Sequence, residues 1–375
     1  MKPTIMLTAG GTGGHLFPAE ALAGELSRRG YRVELMTDER ADKYGSAFPA
    51  DEVHLIQSDT LRGRNPFRLM KTVLKLGLGT LQARKILKQK QPLAMVGFGG
   101  YPTFPPMFAA ALAGVPTILH EANAVMGRAN RLLAARATKV AVSLPVRNLP
   151  STLADKVVMT GNPLRDNVLA VSETPFHAPE VGEPFHLLVF GGSQGARFFS
   201  SILPEALALL TTEERARLAI VQQCRSEDLA TVEQAYQKLG IAAQLETFFK
   251  DLPQRMASAH LVISRAGAGT LCELAAIGRP AILVPYPGAV EDDQGNNAKF
   301  LEDAGAAWPV RQKELSADRL ADMLRDLMTT PAKLRDAATA AKREGRPDAV
   351  QRLADLVEQT TGRAAHVREY EEVTS

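Results

Sequence analysis

Short apolar runs alternate along this chain with longer stretches in which apolar positions return every three or four residues. The runs at 4–8, 32–37, 93–98, 116–120, 139–143 and 156–159 predict strands, and the stretches at 17–29, 66–90, 104–113 and 125–136 predict helices between them. Steady alternation of strand and helix marks an open parallel sheet covered by helices on both faces. The pattern pauses at TGNPLRD and at the polar VSETPFHAPEVGEP. It restarts with FHLLVFGGSQGARFF, which repeats the opening order of strand, glycine turn and helix. Further strands are predicted at 217–222, 243–248, 260–264 and 280–285. The chain is therefore expected to be α/β, with two doubly wound parallel-sheet (Rossmann-like) domains facing a cleft. Their boundary falls near Asn162 and Pro163, giving 1–163 and 164–339. Ligands of such sheets sit beyond the carboxyl ends of the strands.

Composition agrees and narrows the partners. A chain of 375 residues with 45% hydrophobic and 23% charged residues is long enough for two cores. The net charge of +3 gives no ground for nucleic acid. Cys224 and Cys272 stand far apart, in neither a CxxC nor a zinc spacing, as in a protein of a reducing compartment. No signal-peptide core opens the chain and no run approaches the roughly 20 apolar residues of a membrane span. A protein that is soluble or bound to a membrane surface is expected.

The candidate chemistry lies in glycine turns. TAGGTGGH follows the first strand, but its glycines fit neither GxGxxG nor a P-loop, and only Asp38, after the second strand, favours a dinucleotide. Consecutive glycines still turn backbone N–H groups toward an anion at a helix start. A plain strand-to-helix turn capped by His15 is the simpler alternative. GFGGYP and GGSQGA occupy the same position after later strands, where backbone approaches a ligand closely. In RAGAGTLCE, small residues lead into a helix expected to start near Thr270, whose dipole suits a diphosphate. Glu273 is placed to accept both hydroxyls of a ribose, and Thr270 with Glu273 also spells a capping box.

GGTGGH, GFGGYP, HEANAVMGRAN, TGNPLR, GGSQGAR, RAGAGTLCE and DQGNNA, in this order, resemble the bacterial N-acetylglucosaminyltransferases that make lipid II, from residue 4 to about residue 310. The resemblance implies a GT-B glycosyltransferase that moves N-acetylglucosamine from UDP-GlcNAc to the C4 hydroxyl of undecaprenyl-pyrophosphoryl-MurNAc-pentapeptide (lipid I), with inversion. It implies a peripheral protein of the cytoplasmic face of the inner membrane, acting in peptidoglycan synthesis and so in cell shape and division, with cell-wall synthesis proteins as partners. It assigns donor contacts to Thr12, Gly13, Gly14, Asn123, Arg165, Ser193, Phe249, Ala268, Gly269, Thr270, Leu271, Glu273 and Gln294, and puts Tyr101 on the acceptor or sugar side. Arg165 also suits a domain-boundary salt bridge. A terminal helix, from about residue 340, is implied to return to the first domain, ahead of the charged tail VREYEEVTS. The chain departs from the family at Asp293, where many relatives carry His or Gln, and Glu291 and Asp292 precede it. Carboxylates there oppose a diphosphate unless they face the sugar or the solvent.

Inverting transfer needs a base for the attacking hydroxyl and support for the departing UDP. His15, with an imidazole pKa ordinarily near 6.5, is the candidate base or else a donor to the acceptor's pyrophosphate. Glu121 is a second candidate, with a buried structural role as its alternative. No clear metal motif stands at a strand end and no cofactor is expected, so leaving-group charge falls to the helix at Thr270 and to Arg165. A transferase acting on another lipid and a UDP-GlcNAc 2-epimerase are the competing readings.

One helical stretch remains. Phe67, Met70, Leu74, Leu78 and Leu81 recur at helical spacing, Leu69, Val73 and Leu76 widen the face, and Arg64, Arg68, Lys71 and Lys75 line its edge. Such a face either packs into the first domain's core or lies on an anionic phospholipid surface.

Overall fold

The computed structural model describes residues 2–39, 48–59, 66–147, 149–191 and 197–362, with backbone only at 66–69. Two compact units divide the chain. The first comprises 1–122, 126–165 and 348–375, and the second 123–125 and 166–347.

The first unit runs β1 (Thr4–Thr8), α1 (Gly13–Arg28), β2 (Arg32–Thr37), β3 (Glu52–Leu55), α2 (Pro66–Lys90), β4 (Ala94–Gly97), α3 (Phe104–Leu112), β5 (Thr117–Glu121), α4 (Arg128–Ala134), β6 (Lys139–Val142) and β7 (Val157–Met159). Its strands form a parallel sheet in the order β3-β2-β1-β4-β5-β6-β7. Strand alternation splits the core in two. Ile5, Leu7, Val33, Leu35, Val96 and Ile118 pack on the α1 side, while Met6, Met36, Met95 and Leu119 pack beneath α2 to α4.

The second unit runs α5 (Asp166–Ser172), β8 (Phe185–Phe190), α6 (Arg197–Ala208), α7 (Thr212–Ala216), β9 (Leu218–Gln223), α8 (Leu229–Lys238), β10 (Ala243–Glu246), α9 (Leu252–Ser258), β11 (Leu261–Ser264), α10 (Ala268–Ile277), β12 (Ala281–Leu283), α11 (Asp293–Asp303), β13 (Ala307–Pro309), α12 (Ala317–Thr329) and α13 (Pro331–Glu344). Its parallel sheet has the order β10-β9-β8-β11-β12-β13. In both sheets the chain reverses its direction of winding after a first βαβ pair, so ligand sites are expected at the carboxyl ends of β1 and β4, and of β8 and β11.

The last helix, α14 (Ala349–Thr360), returns to the first unit and packs on α1. The return comes at Asp348 rather than about residue 340, because α13 stays on α10 and the chain turns at Gly345-Arg346-Pro347. Arg29 at the end of α1 anchors it, with its Nη1 2.8 Å from Glu358, while Tyr31 donates its hydroxyl to Glu358 at 3.2 Å. The carboxylates of Glu25, Asp355 and Glu358 hold the Arg29 guanidinium above its ordinary range against the opposing effect of burial.

Two strands escaped the hydrophobic pattern. β3 mixes charge into four residues and β13 is three residues long and ends in proline. In α1 the helix starts at Gly13, four residues before the apolar periodicity, since first-turn amides need no intrahelical partner.

Candidate active site

In the first unit the loops after β1 and β4, neighbours in the sheet, interlock around His15. The Gly10 amide donates to the Gly99 carbonyl at 3.1 Å. Gly99 and Gly100 have φ of +88° and +81°, a left-handed conformation that glycine adopts without strain. A Cβ on Gly100 would stand 3.1 Å from the Gly10 Cα, and one on Gly99 would stand 3.3 Å from the His15 ring. Glycine is what lets the imidazole lie in this turn. Thr12 precedes α1 and its hydroxyl is 2.9 Å from His15 Nδ1. Gly13 and Gly14 open the helix, so their amides point to the same end as its positive dipole. Arg165 stacks on the Phe17 ring at 3.9 Å, and that ring is the neighbour a Cβ on Gly13 would touch. Tyr101, half-buried, begins a short turn after the second glycine loop.

Glu121 takes the structural position foreseen as its alternative. It is buried, and its Oε2 accepts from the Gly127 amide and from Asn130 Nδ2, each at 2.9 Å, which fastens the turn into α4. Beside it His120 is buried against Phe98, with Nε2 3.0 Å from the Ser143 hydroxyl. Burial pushes its imidazole down to about 4, the Gly161 backbone opposes this, and the charge of nearby His15 adds to it.

In the second unit β11 delivers the chain into α10. Gly267 is the N-cap and Ala268 the first helical residue, two positions earlier than the sequence suggests. Thr270 therefore lies inside the first turn, and the capping box with Glu273 does not form. The amides of Ala268, Gly269 and Thr270 end the helix together, Leu271 is buried beneath them, and Glu273, half-buried, stands one turn on.

The first turn of α11 is tied to this one. Gln294 Oε1 accepts from the Ala266 amide at 3.2 Å and the Tyr286 amide at 2.9 Å. Asn297, fully buried, donates to the Ala266 carbonyl at 3.2 Å and to Asn123 Oδ1 at 3.0 Å, and accepts from the Ala124 amide at 2.8 Å. That exchange seats the inserted Asn123–Val125 segment in this unit. Asn297 lies within DQGNNA but carries no distinguishing local signal, and only the fold reveals it.

Arg265 opens RAGAGTLCE and, like Asn297, carries no local signal of its own role. It is buried under the turn, donating to the Val284 carbonyl at 3.1 Å and Gln312 Oε1 at 2.7 Å, with the Tyr286 ring 5.6 Å away, and burial lowers its pKa. Phe249 proves to be a buried prop beneath the Arg255 guanidinium at 4.5 Å, and its neighbour Phe248 is the exposed ring. Any ligand contact at Phe249 must then use its backbone. Ser193 lies outside the described residues.

Among the described residues one group of acidic and histidine side chains has metal-ligand spacing, Glu34, Glu52 and His54. It sits on β2 and β3, where Arg32 and Lys90 already pair with it.

The set expected either in the core or on a lipid surface divides. Met70, Val73, Leu74, Leu78 and Leu81 are each more than half exposed, so the core alternative fails for them. The core side of α2 is instead Thr72, Ala83 and Leu87, with Gly79 so close to the Gln57 carbonyl that a Cβ would collide with it. Lys71 is exposed and Lys75 lies 3.6 Å from Asp59. The side chains of Phe67 and Arg68 lie outside the described residues.

Comparison with known proteins follows the same division. Residues 5–142 match the glycosyltransferase family 28 N-terminal domain and residues 186–353 its C-terminal domain. The UDP-N-acetylglucosamine--N-acetylmuramyl-(pentapeptide) pyrophosphoryl-undecaprenol N-acetylglucosamine transferase of Brucella abortus (strain S19) is 53% identical over 94% of this chain and 93% of its own. The protein of the same name from Bradyrhizobium sp. (strain ORS 278) is 52% identical over 96% and 98%. A crystal structure of Acinetobacter baumannii MurG superposes with a TM-score of 0.77 at 31% identity, over 96% of this chain and 100% of that one. A UDP-GlcNAc 2-epimerase from Neisseria meningitidis, with a TM-score of 0.65 at 16% identity over 95% and 99%, shares the fold alone. With two parallel-sheet units, glycine turns at their strand ends and both domain matches in order, the chain belongs to glycosyltransferase family 28, among the N-acetylglucosamine transferases of the MurG group.

Proposed function

We propose that this enzyme transfers N-acetylglucosamine from UDP-GlcNAc to the C4 hydroxyl of lipid I, forming lipid II. The observation that carries the donor half is the first turn of α10, bare of side chains at Gly267 and Gly269, with Glu273 one turn along. Three amides and the helix dipole meet the diphosphate there, and the Glu273 carboxylate accepts the ribose hydroxyls. The first unit takes the acceptor. His15 suits its reacting hydroxyl. In the transfer step the C4 oxygen bonds to the anomeric carbon as the bond from that carbon to the β-phosphate oxygen breaks. UDP leaves with the electron pair and the hydroxyl proton passes to His15 Nε2. Charge on the departing diphosphate rests on the N-terminus of α10, a route that asks for no metal or other cofactor.

The exposed apolar face of α2, edged by Lys71 and Lys75, supports peripheral binding to the anionic cytoplasmic leaflet, where lipid I is reached. Among the described residues no helix is long and apolar enough to cross a membrane. Cell-wall synthesis proteins are the expected neighbours on that surface. The deciding experiment is incubation with UDP-GlcNAc and lipid I in mixed micelles, with lipid II and UDP quantified. Diacylglycerol glycosylation, or conversion of UDP-GlcNAc to its 2-epimer without lipid II, would overturn the assignment.

A further inference from the structure

Thr103, between the second glycine loop and α3, is fully buried, and the chemistry proposed above leaves it without a part. Its two branches meet different groups. The methyl packs over Gly97 at the end of β4, where a Cβ would stand 2.7 Å from it and 2.8 Å from Met107 Cγ. The hydroxyl has one hydrogen and two carbonyls in range, Gly99 at 2.6 Å and Thr8 at 3.5 Å. Distance gives the hydrogen to Gly99. The Thr103 amide donates to the Gly100 carbonyl at 3.2 Å. One residue thus holds both glycines of positive φ in this loop.

Those glycines are the surface on which the His15 ring rests. A Cβ on Gly99 would stand 3.3 Å from His15 Cδ2 and 3.4 Å from Nε2, and one on Gly100 would stand 3.4 Å from Nδ1. The Gly99 carbonyl also receives the Gly10 amide at 3.1 Å, from the loop that leads to His15. Its two lone pairs are then both used, one by each loop. Removing the Thr103 hydroxyl leaves this carbonyl a single donor and frees the Gly99–Gly100 peptide to shift against the imidazole. A general base must lie within hydrogen-bond reach of the proton it takes, so such a shift costs rate.

We propose that Thr103 is a positioning residue for His15: its hydroxyl, acting through the Gly99 carbonyl, sets where the imidazole stands against the acceptor's hydroxyl. Being fully buried, it touches neither substrate nor reacting atoms. Thr12, by contrast, meets Nδ1 directly. The proposal rests on the reading above, in which His15 is the group that meets the acceptor.

Two substitutions separate the branches. Thr103→Val keeps the methyl and the shape but loses the hydroxyl, whereas Thr103→Ser keeps the hydroxyl and loses the methyl. Thr103→Val should lower kcat about tenfold, the size of one lost hydrogen bond, with the KM for UDP-GlcNAc within about twofold. Thr103→Ser should hold kcat within about twofold while its melting temperature falls by a few degrees, since a buried methyl is lost. If kcat instead follows the melting temperature in both variants, Thr103 is structural and the proposal is overturned. A double-mutant cycle supplies the second readout. In the His15→Ala background Thr103→Val should change kcat by no more than about twofold, because the group it positions is gone. A full tenfold loss there would also overturn the proposal. Were His15→Ala alone to keep its kcat, the reading of His15 as base fails by itself, and Thr103→Val must then raise the KM for lipid I as His15→Ala does. Without that rise the positioning role falls too.

Discussion

The Thr12 hydroxyl lies 2.9 Å from Nδ1 of His15, one turn along the start of α1. The contact serves either tautomer, since a threonine hydroxyl both donates and accepts. For Nε2 to accept the acceptor's proton, Nδ1 must hold its hydrogen and donate it to Thr12 Oγ1. His15→Ala is expected to lower kcat by about 100-fold with the Kd of UDP-GlcNAc unchanged, the ordinary scale of a general base. Thr12→Val should lower kcat by about tenfold, and Thr12→Ser should restore it, since removing the tautomer's partner costs about one hydrogen bond. Should His15→Ala keep its kcat and raise only the KM for lipid I, His15 anchors the pyrophosphate instead.

Glu273 is freed from the capping role by the position of Gly267, three residues before Thr270. Glu273→Ala should raise the KM for UDP-GlcNAc by about 10- to 100-fold, as loss of hydrogen bonds to a charged group does. A 2'-deoxy or 3'-deoxy donor analogue should separate mutant from wild type less than UDP-GlcNAc does. An unshifted donor KM would remove Glu273 from the ribose.

Periodicity placed the long, regular parts of both sheets well, because parallel strands covered on two faces write continuous apolar runs. β3 escaped it because its four residues mix charged and apolar side chains, β13 because it is three residues long and ends in proline, and α1 and α10 start earlier than expected because their first residues are small and carry no apolar periodicity. The glycine loops, His15 and Glu273 were legible as motifs. Asn297 and Arg265 were not, since a buried asparagine or arginine looks like any surface one until the Ala124 amide, Gln312 and the Val284 carbonyl are seen around it. The same blindness applies to the packing of Glu121 and Phe249, whose partners Gly127 and Arg255 only the fold reveals.

His120 gives the fold a pH signature. Its imidazole is held neutral down to about 4, against about 6.5 in an unfolded chain. A depressed folded-state pKa means that unfolded chains take up protons first, so this stability is present above pH 6.5 and drains away as pH falls toward 4. Between pH 7.5 and pH 5 the loss from this one residue is about 2 kcal/mol. Urea unfolding at the two pH values should show it, and His120→Asn should flatten the dependence by that amount. An unaltered slope in the variant would mean that His120 already titrates normally in the folded protein.

The exposed face of α2 makes the last prediction a choice between two surfaces. Met70, Val73, Leu74, Leu78 and Leu81 are solvent-facing, so substituting them removes no core packing, and changes there separate membrane binding from folding. Lys71→Glu with Lys75→Glu should cut sedimentation with phosphatidylglycerol vesicles by about tenfold or more, given about 1 kcal/mol for each basic residue near an anionic surface and the reversal of both charges. Leu74→Ser with Leu78→Ser should do the same for vesicles of any charge, as burial of each leucine contributes roughly 1.5–3 kcal/mol. Both pairs should raise the KM for lipid I and spare turnover of a short-chain, water-soluble acceptor, because neither touches the glycine loops. The two pairs also differ in salt: raising ionic strength should erase the effect of the lysine pair and leave that of the leucine pair, since only the first acts through a screened field. If vesicle binding survives both pairs, the first unit meets its lipid-linked substrate through another surface.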